Sequence, residues 1–295
     1  DYAQALALLL QVAPRFPGFD GLVFSDYAAL YGLHDWERSL PALREFTRTI
    51  SAEFAIRPFL NQDPARALPF LFELAGDPDP AVRRLASEGS RPRLPWGEAL
   101  PAFKQDPSPI LPILEKLKDD PSEDVRRSVA NNLNDIAKDN PQVVLDTAER
   151  WYGRSAEVDW VVKHACRTLL KAGNVRAMRL FGFADPAAIQ VSDLAFEPER
   201  LAIGEDLVFS YALDVQTAEP ELLRLEYAVL FVRANGKTSR KVFHQRETEF
   251  APGRHTISKK HSFRDLSTRR HYPGEHGFEI IVNGEIKEPG KATLL

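Results

Sequence analysis

The sequence has one cysteine, Cys166, so no disulfide can form within the chain. It has no Cys-x-x-Cys and no paired-histidine spacing, which removes the usual zinc frameworks. No apolar run approaches the roughly 18 residues needed to span a bilayer. Net positive charge is missing too: 38 Lys and Arg against 42 Asp and Glu leave −4, a poor overall balance for holding a polyanion. These absences fit a soluble chain of the reducing cytoplasm, with no membrane partner, metal or cofactor. The first residue is Asp1 rather than Met, and the apolar run Ala5 to Val12 follows with no evident cap. We read this as a segment whose natural N-terminus lies upstream.

What is present is ample for a core. The chain has 295 residues, 44% hydrophobic and 27% charged, enough for about two domains. Its charge is also uneven. From Arg233 to His271 eleven Lys and Arg face only Glu247, Glu249 and Asp265, an excess of eight positive charges in an acidic chain. Affinity for phosphate follows local potential rather than the total, so a polyanion partner stays open.

Residues 1–188 carry the helical period. Apolar residues recur at Leu68, Leu71, Leu74 and Ala75, at Leu111, Leu114 and Leu117, and at Val161, Ala165 and Leu169. Asp and Pro cluster between them at Asp77 to Pro80, Asp119 to Asp124 and Asp139 to Pro141. Such clusters stop one helix and cap the next. The segments also repeat. Asp77 to Gly89 superposes on Asp120 to Asn132 at an offset of 43 residues, placing Val82-Arg83-Arg84 on Val125-Arg126-Arg127. A looser copy puts Val162-Lys163-His164 on the same triplet. A period near 40 with this core predicts HEAT-like repeats, paired helices stacked into an α-solenoid, rather than a generic bundle.

From residue 189 to 295 the period becomes two. The runs 206–215, 222–234, 237–250 and 276–284 alternate apolar and polar residues, with Asn235-Gly236 and Asn283-Gly284 as hairpin signals. An immunoglobulin-like antiparallel β-sandwich of about seven strands is expected, without that fold's usual disulfide. The overall class is α + β multidomain. The alternation reads the cationic stretch as two hairpin arms joined at Ala251 to Arg254, with many cations on one solvent face. The loop Ser267 to Gly277, carrying Arg269 and Arg270, would reach toward a groove.

Three segments resemble one family. Ala86 to Gly97 (ASEGSRPRLPWG), Val125 to Pro141 and Trp160 to Gly173 are similar to the bacterial HEAT-like-repeat alkylpurine DNA glycosylases related to AlkD, and most to the AlkC branch. The resemblance implies an immunoglobulin-like domain after the helices, and further helices before the point where this sequence begins. It implies a monomer acting on double-stranded DNA that contains an alkylated base, excising 3-methyladenine and 3-methylcytosine. Glu88, Asp135 and Glu53 match positions at which the family carries its active-site carboxylates.

The chemistry suits such residues. Alkylation at N3 makes the base cationic and a good leaving group, so the enzyme need not protonate it. It must stabilise an oxocarbenium-like sugar and aim a water, and carboxylates in a cleft do both. The alternative for each acid is a helix cap or an ion pair with a repeat arginine. Trp96 is a candidate to stack on the lesion or its sugar by cation–π attraction, or else a core residue between repeats. Arg84, Arg91, Arg93, Arg127, Lys163 and Arg167, with Arg269 and Arg270 beyond, are candidate phosphate contacts. His164 reads as a phosphate neighbour or a packed histidine. The competing function is a non-catalytic scaffold binding a partner protein, its basic β half gripping nucleic acid; converging carboxylates ringed by arginines would argue against it. A HEAT-type lyase acting on a chromophore is a third class, with no tetrapyrrole site in view.

Overall fold

A computed structural model describes residues 1–267 and 269–295; Thr268, inside the basic loop, lies outside the described residues. It forms two compact units, 1–168 and 169–295.

Helices α1 (Tyr2–Val12), α2 (Leu22–Tyr31), α3 (Trp36–Phe46), α4 (Arg57–Gln62), α5 (Pro64–Leu74), α6 (Pro80–Gly89) and α7 (Pro101–Gln105) make the first part of unit one. They are followed by α8 (Leu111–Leu117), α9 (Glu123–Ile136), α10 (Pro141–Trp151) and α11 (Ala156–Ala165), with α12 (Arg167–Lys171) at the junction. Asp1, read as no cap, does cap α1: its side chain accepts from the Gln4 amide at 2.9 Å. Asp79 likewise caps α6 through the Ala81 amide, with Pro80 in the first turn. Ahead of α9 the aspartate sits further back, Asp120 accepting from the Ser122 amide at 2.8 Å.

The repeat has a physical basis. Val82 and Val125 are both wholly buried, as a residue pointing between stacked helices must be. The arginine after each turns back onto its own loop. Arg83 Nη1 donates to the carbonyls of Asp77 and Pro78 at 2.9 and 3.0 Å. Arg126 Nη1 makes the same pair with Asp120 and Pro121 at 2.7 and 3.1 Å. Arg83 also grips the Asp120 carboxylate in a fork, 2.6 and 2.9 Å, stitching one repeat to the next. The first arginine of each pair is therefore structural, leaving the second, Arg84 or Arg127, for other work. Helices α6, α9 and α11 pack side by side in that order. No helix among the described residues is long and apolar enough to cross a membrane.

Unit two opens with the end of α12 and α13 (Val175–Leu180). It then forms β1 (Ile189–Glu197), β2 (Arg200–Leu201), β3 (Asp206–Val215), β4 (Glu221–Val232), β5 (Thr238–Phe250), β6 (Gly253–Ser262), β7 (Gly274–Val282) and β8 (Glu285–Leu294). Strands begin at Ile189, yet the compact unit begins twenty residues earlier at Leu169. One reason lies at Gly173 and Gly284. The β7–β8 turn at Asn283-Gly284 takes positive φ at both residues, and a Cβ on Gly284 would sit 2.0 Å from the Gly173 Cα. Only glycines allow that approach.

The sheets are β1-β3-β6 and β2-β8-β7-β4-β5, antiparallel except for the short β2–β8 pair. Leu207, Phe209, Tyr211 and Leu213 of β3 share one apolar core with Leu225, Tyr227 and Val229 of β4 and Phe278 and Ile280 of β7. This corrects one expectation. Strands β5 and β6 are not hairpin arms of one sheet but outer strands of opposite sheets, with the turn at Ala251-Pro252 carrying the chain across. Several of the cations are also already matched. Arg240 pairs with Glu279 and Lys260 with Asp206, each at 2.7 Å, and Arg254 pairs with Asp193. Arg269 lies over the Phe231 ring at 4.3 Å and Lys241 over Phe243 at 5.2 Å. Alternation alone does not tell which sheet a strand joins.

Three histidines, His261, His271 and His276, surround Phe263 with ring centroids 5.1 to 5.4 Å away. Burial, with the neighbouring histidines and the cations Arg269 and Lys241, pushes His261 down to about 4. Between about 6.5 and about 4 the unfolded chain therefore binds a proton that the folded unit refuses, and acid destabilises. His261 should make unit two lose roughly 3 kcal/mol across that window, with full stability above it. Urea midpoints at pH 7, 5.5 and 4 check this: His261→Gln should flatten the profile, and an unchanged profile would refute the assignment.

Candidate active site

In α6, Arg84 and Glu88 are four residues apart and so share a face. In α9, Ser128, Asn132 and Asp135 follow the i, i+4, i+7 spacing of one stripe, and all three are buried. That stripe packs against α6. Ser128 Oγ donates to Glu88 Oε2 at 2.5 Å, and Asn132 Nδ2 donates to the Ser87 carbonyl at 2.8 Å. Past α6, Pro92 and Pro95 forbid further helix, and the loop brings Arg91 back between the two helices. Arg91 Nη1 donates to Glu88 Oε1 at 2.7 Å and its Nε to Asp135 Oδ2 at 2.8 Å. Lys138 closes the row on Asp135 Oδ1 at 3.0 Å. On the other side, Arg84 Nη1 reaches Glu53 Oε2 at 2.8 Å, and Ser51 Oγ donates to the same oxygen at 2.7 Å.

The three predicted carboxylates are thus brought together in an alternating row: Glu53, Arg84, Glu88, Arg91, Asp135, Lys138. Each does pair with an arginine, as the alternative reading held, but with one difference among them. Glu88 and Asp135 have both oxygens engaged. Glu53 Oε1 has no partner among the described residues. Glu53, Glu88, Arg91 and Trp96 line a pocket of about 360 Å³ with Phe19 and Phe54; Asp135 stands behind Arg91.

Trp96 is no core residue. It is 96% exposed, at φ 63°, a left-handed conformation that a bulky side chain seldom adopts. The chain around it is tied by the Gly97 amide to the Leu94 carbonyl and the Leu100 amide to the Pro92 carbonyl, each at 3.2 Å. The indole is offered to solvent at the rim of a pocket that holds Glu53 and Glu88 among mainly apolar side chains.

The candidate phosphate contacts divide. Arg91 is buried with both Nε and Nη1 on carboxylates. Burial would lower its pKa, but Glu88 and Asp135 outweigh this and hold it above the ordinary value. It serves the acids, and an external phosphate would have to displace them, so Arg91 is enclosed rather than offered to a phosphate. Arg93 forks onto Asp139 at 2.8 and 2.6 Å at the surface. Arg127 is exposed beside Glu123 and Asp124, and Lys163 is exposed on α11. Arg167, its pKa lowered by burial, donates to Asn131 Oδ1 at 3.0 Å and to the His164 carbonyl at 2.7 Å. His164 lies flat on Trp160, rings 5.2 Å apart, with Nε2 3.2 Å from Asn131 Oδ1. Burial, then Arg167 and Arg127, push its pKa down, which favours the neutral, packed histidine. Arg270 is exposed in unit two. Ser128, Asn132, Lys138 and Phe19 escaped the sequence reading. For Ser128 and Asn132 the polar stripe with Asp135 at helical spacing was the available signal.

Comparison with known proteins shows the family. Residues 190–295 match the family model described as "Uncharacterised protein YhaZ, C-terminal Ig-like domain", and residues 110–139 match the HEAT repeat. YhaZ of Bacillus subtilis strain 168 is 47% identical over 98% of this chain and 80% of its own length. The solved structure of the Pseudomonas fluorescens alkylpurine DNA glycosylase AlkC, bound to DNA containing an abasic site analog, is 40% identical with a TM-score of 0.94. That alignment covers all of this chain and 83% of the other. The chain belongs to the HEAT-like-repeat alkylpurine DNA glycosylase family, in its AlkC branch.

Proposed function

We propose that this protein is a DNA glycosylase that hydrolyses the N-glycosidic bond of cationic alkylated bases, 3-methyladenine and 3-methylcytosine, in double-stranded DNA. The observation that carries the reading is the row of three carboxylates, alternating with arginines, beside a pocket whose rim holds a fully offered tryptophan. The cationic base leaves without help from an acid. Glu53, with one oxygen open, faces the developing sugar cation and aligns the attacking water, while Glu88 adds negative potential from the pocket wall. Asp135 acts through Arg91, fixing its direction. Trp96 lies against the lesion or its sugar. Arg84, Arg93, Arg127, Lys163 and Arg167 supply positive potential for the flanking backbone. Arg269 and Arg270 give unit two a share in holding the duplex as an accessory DNA-binding domain. The enzyme works as a monomer in the cytoplasm, and requires no cofactor.

The convergence of Glu53, Glu88 and Asp135 among arginines, beside a pocket otherwise lined mainly by apolar side chains, favours this over a passive scaffold. Incubation with methylated duplex DNA tests it. Free 3-methyladenine and 3-methylcytosine should appear by chromatography, with an abasic site left for each base released. Binding without release would leave the scaffold reading standing.

A further inference from the structure

Arg57 opens α4 and is completely buried, with a relative exposure of 0%. It falls in the otherwise apolar run Phe54 to Leu60. Its Nη1 donates to the Gly89 carbonyl at 3.0 Å and its Nε to the Glu98 carbonyl. Those carbonyls flank the segment carrying Arg91 and Trp96, so one planar fork joins both ends of the loop. Gly97 lies flat on the same side chain: a Cβ there would stand 3.3 Å from Arg57 Cδ and Nε and 3.0 Å from Leu94 Cδ2. The third nitrogen, Nη2, is buried without a partner among the described residues, an arrangement poorly suited to stability alone. Burial pushes Arg57 down to about 10, with Glu98, Asp135 and Glu53 opposing that fall. It remains a cation at neutral pH, beneath the acid row.

We infer that Arg57 is a positioning residue for the proposed base excision, clamping the loop so that Arg91 stays between Glu88 and Asp135 and Trp96 stays at the pocket rim. The inference rests on the glycosylase reading for its catalytic consequence, but not for the clamp itself. The test uses the whole protein in a Trp160→Phe background, where Trp36 and Trp151 are buried and Trp96 is the exposed indole. Time-resolved fluorescence anisotropy then reports the motion of Trp96. Arg57→Met removes the fork and keeps the stem; Gly97→Ala keeps the arginine and pushes the backbone off it.

Both variants should show a fast depolarising component of larger amplitude than the parent's, since the exposed indole moves on its own and a released loop moves with it. Both should lose about tenfold in kcat, as a loosened reacting geometry would, with KM close to the parent value. Arg57→Lys, able to hold one carbonyl, should fall between. If Arg57→Met does not fold, Gly97→Ala carries the test alone. Unchanged anisotropy in the folded variants overturns the clamp, and a loosened Trp96 with parental kcat overturns its role in excision. A parent that releases no base defeats the glycosylase reading instead, and the anisotropy still decides whether Arg57 holds the loop.

Discussion

Glutamine in place of Glu53 or of Glu88 is expected to slow base release by on the order of 10²–10³-fold, the usual loss when a preorganised electrostatic partner of the transition state is removed. The substitution keeps the shape of each side chain and deletes one negative charge beside the pocket. For Glu53 it deletes the charge on the carboxylate whose Oε1 has no partner among the described residues. For Glu88 it also takes from Arg91 one of its two acids, leaving Asp135. Affinity for DNA bearing an abasic-site analogue should hold or rise slightly, because a charge repelling phosphate is gone. Asp135→Asn should act in the same direction by freeing Arg91. Single-turnover release at saturating enzyme separates this from weakened binding. Normal turnover in both Glu variants would make the acids structural partners of the repeat arginines and remove the proposed site.

Trp96→Ala should reduce kcat/KM by roughly 30-fold, the equivalent of about 2 kcal/mol for a desolvated cation–π contact. The same change should leave thermal stability within experimental scatter, since a side chain 96% exposed buries almost nothing in the free protein. Trp96→Phe should recover much of the loss. The pairing of the two readouts is what tests the assignment. A Trp96→Ala protein that melts several degrees lower would point to packing, and one that excises at the parental rate would show that the indole meets no lesion.

The helical half was legible because its repeat has a rigid physical core. Each Val must be buried between helices and each following Arg must close its own loop, so Val82-Arg83 and Val125-Arg126 stay in register. The sandwich was legible from its period of two, but the placement of β5 and β6 was not. Alternation reports which face of a strand is apolar and nothing about the partner strand, so two outer strands of opposite sheets read as one hairpin. In the site, the three acids were candidates through a resemblance and Trp96 through its place after Leu94-Pro95. Their wiring was not legible, because the contacts are far apart in sequence: Arg91 reaches Asp135 across 44 residues and Arg57 reaches Glu98 across 41. An arginine inside an apolar run looks like an interruption until its carbonyl partners are seen. Arg91 looked like a phosphate contact for the same reason, since a sequence does not show that a cation is already enclosed by two carboxylates.

The central claim is that the lesion's own positive charge supplies the leaving ability and that the carboxylate row serves the sugar cation. It is tested most directly by single-turnover release from matched duplexes carrying 3-methyladenine, 3-methylcytosine or the neutral base hypoxanthine at one position. The account predicts release of both methylated bases and none of hypoxanthine over the same period. Release of hypoxanthine at a comparable rate would contradict it.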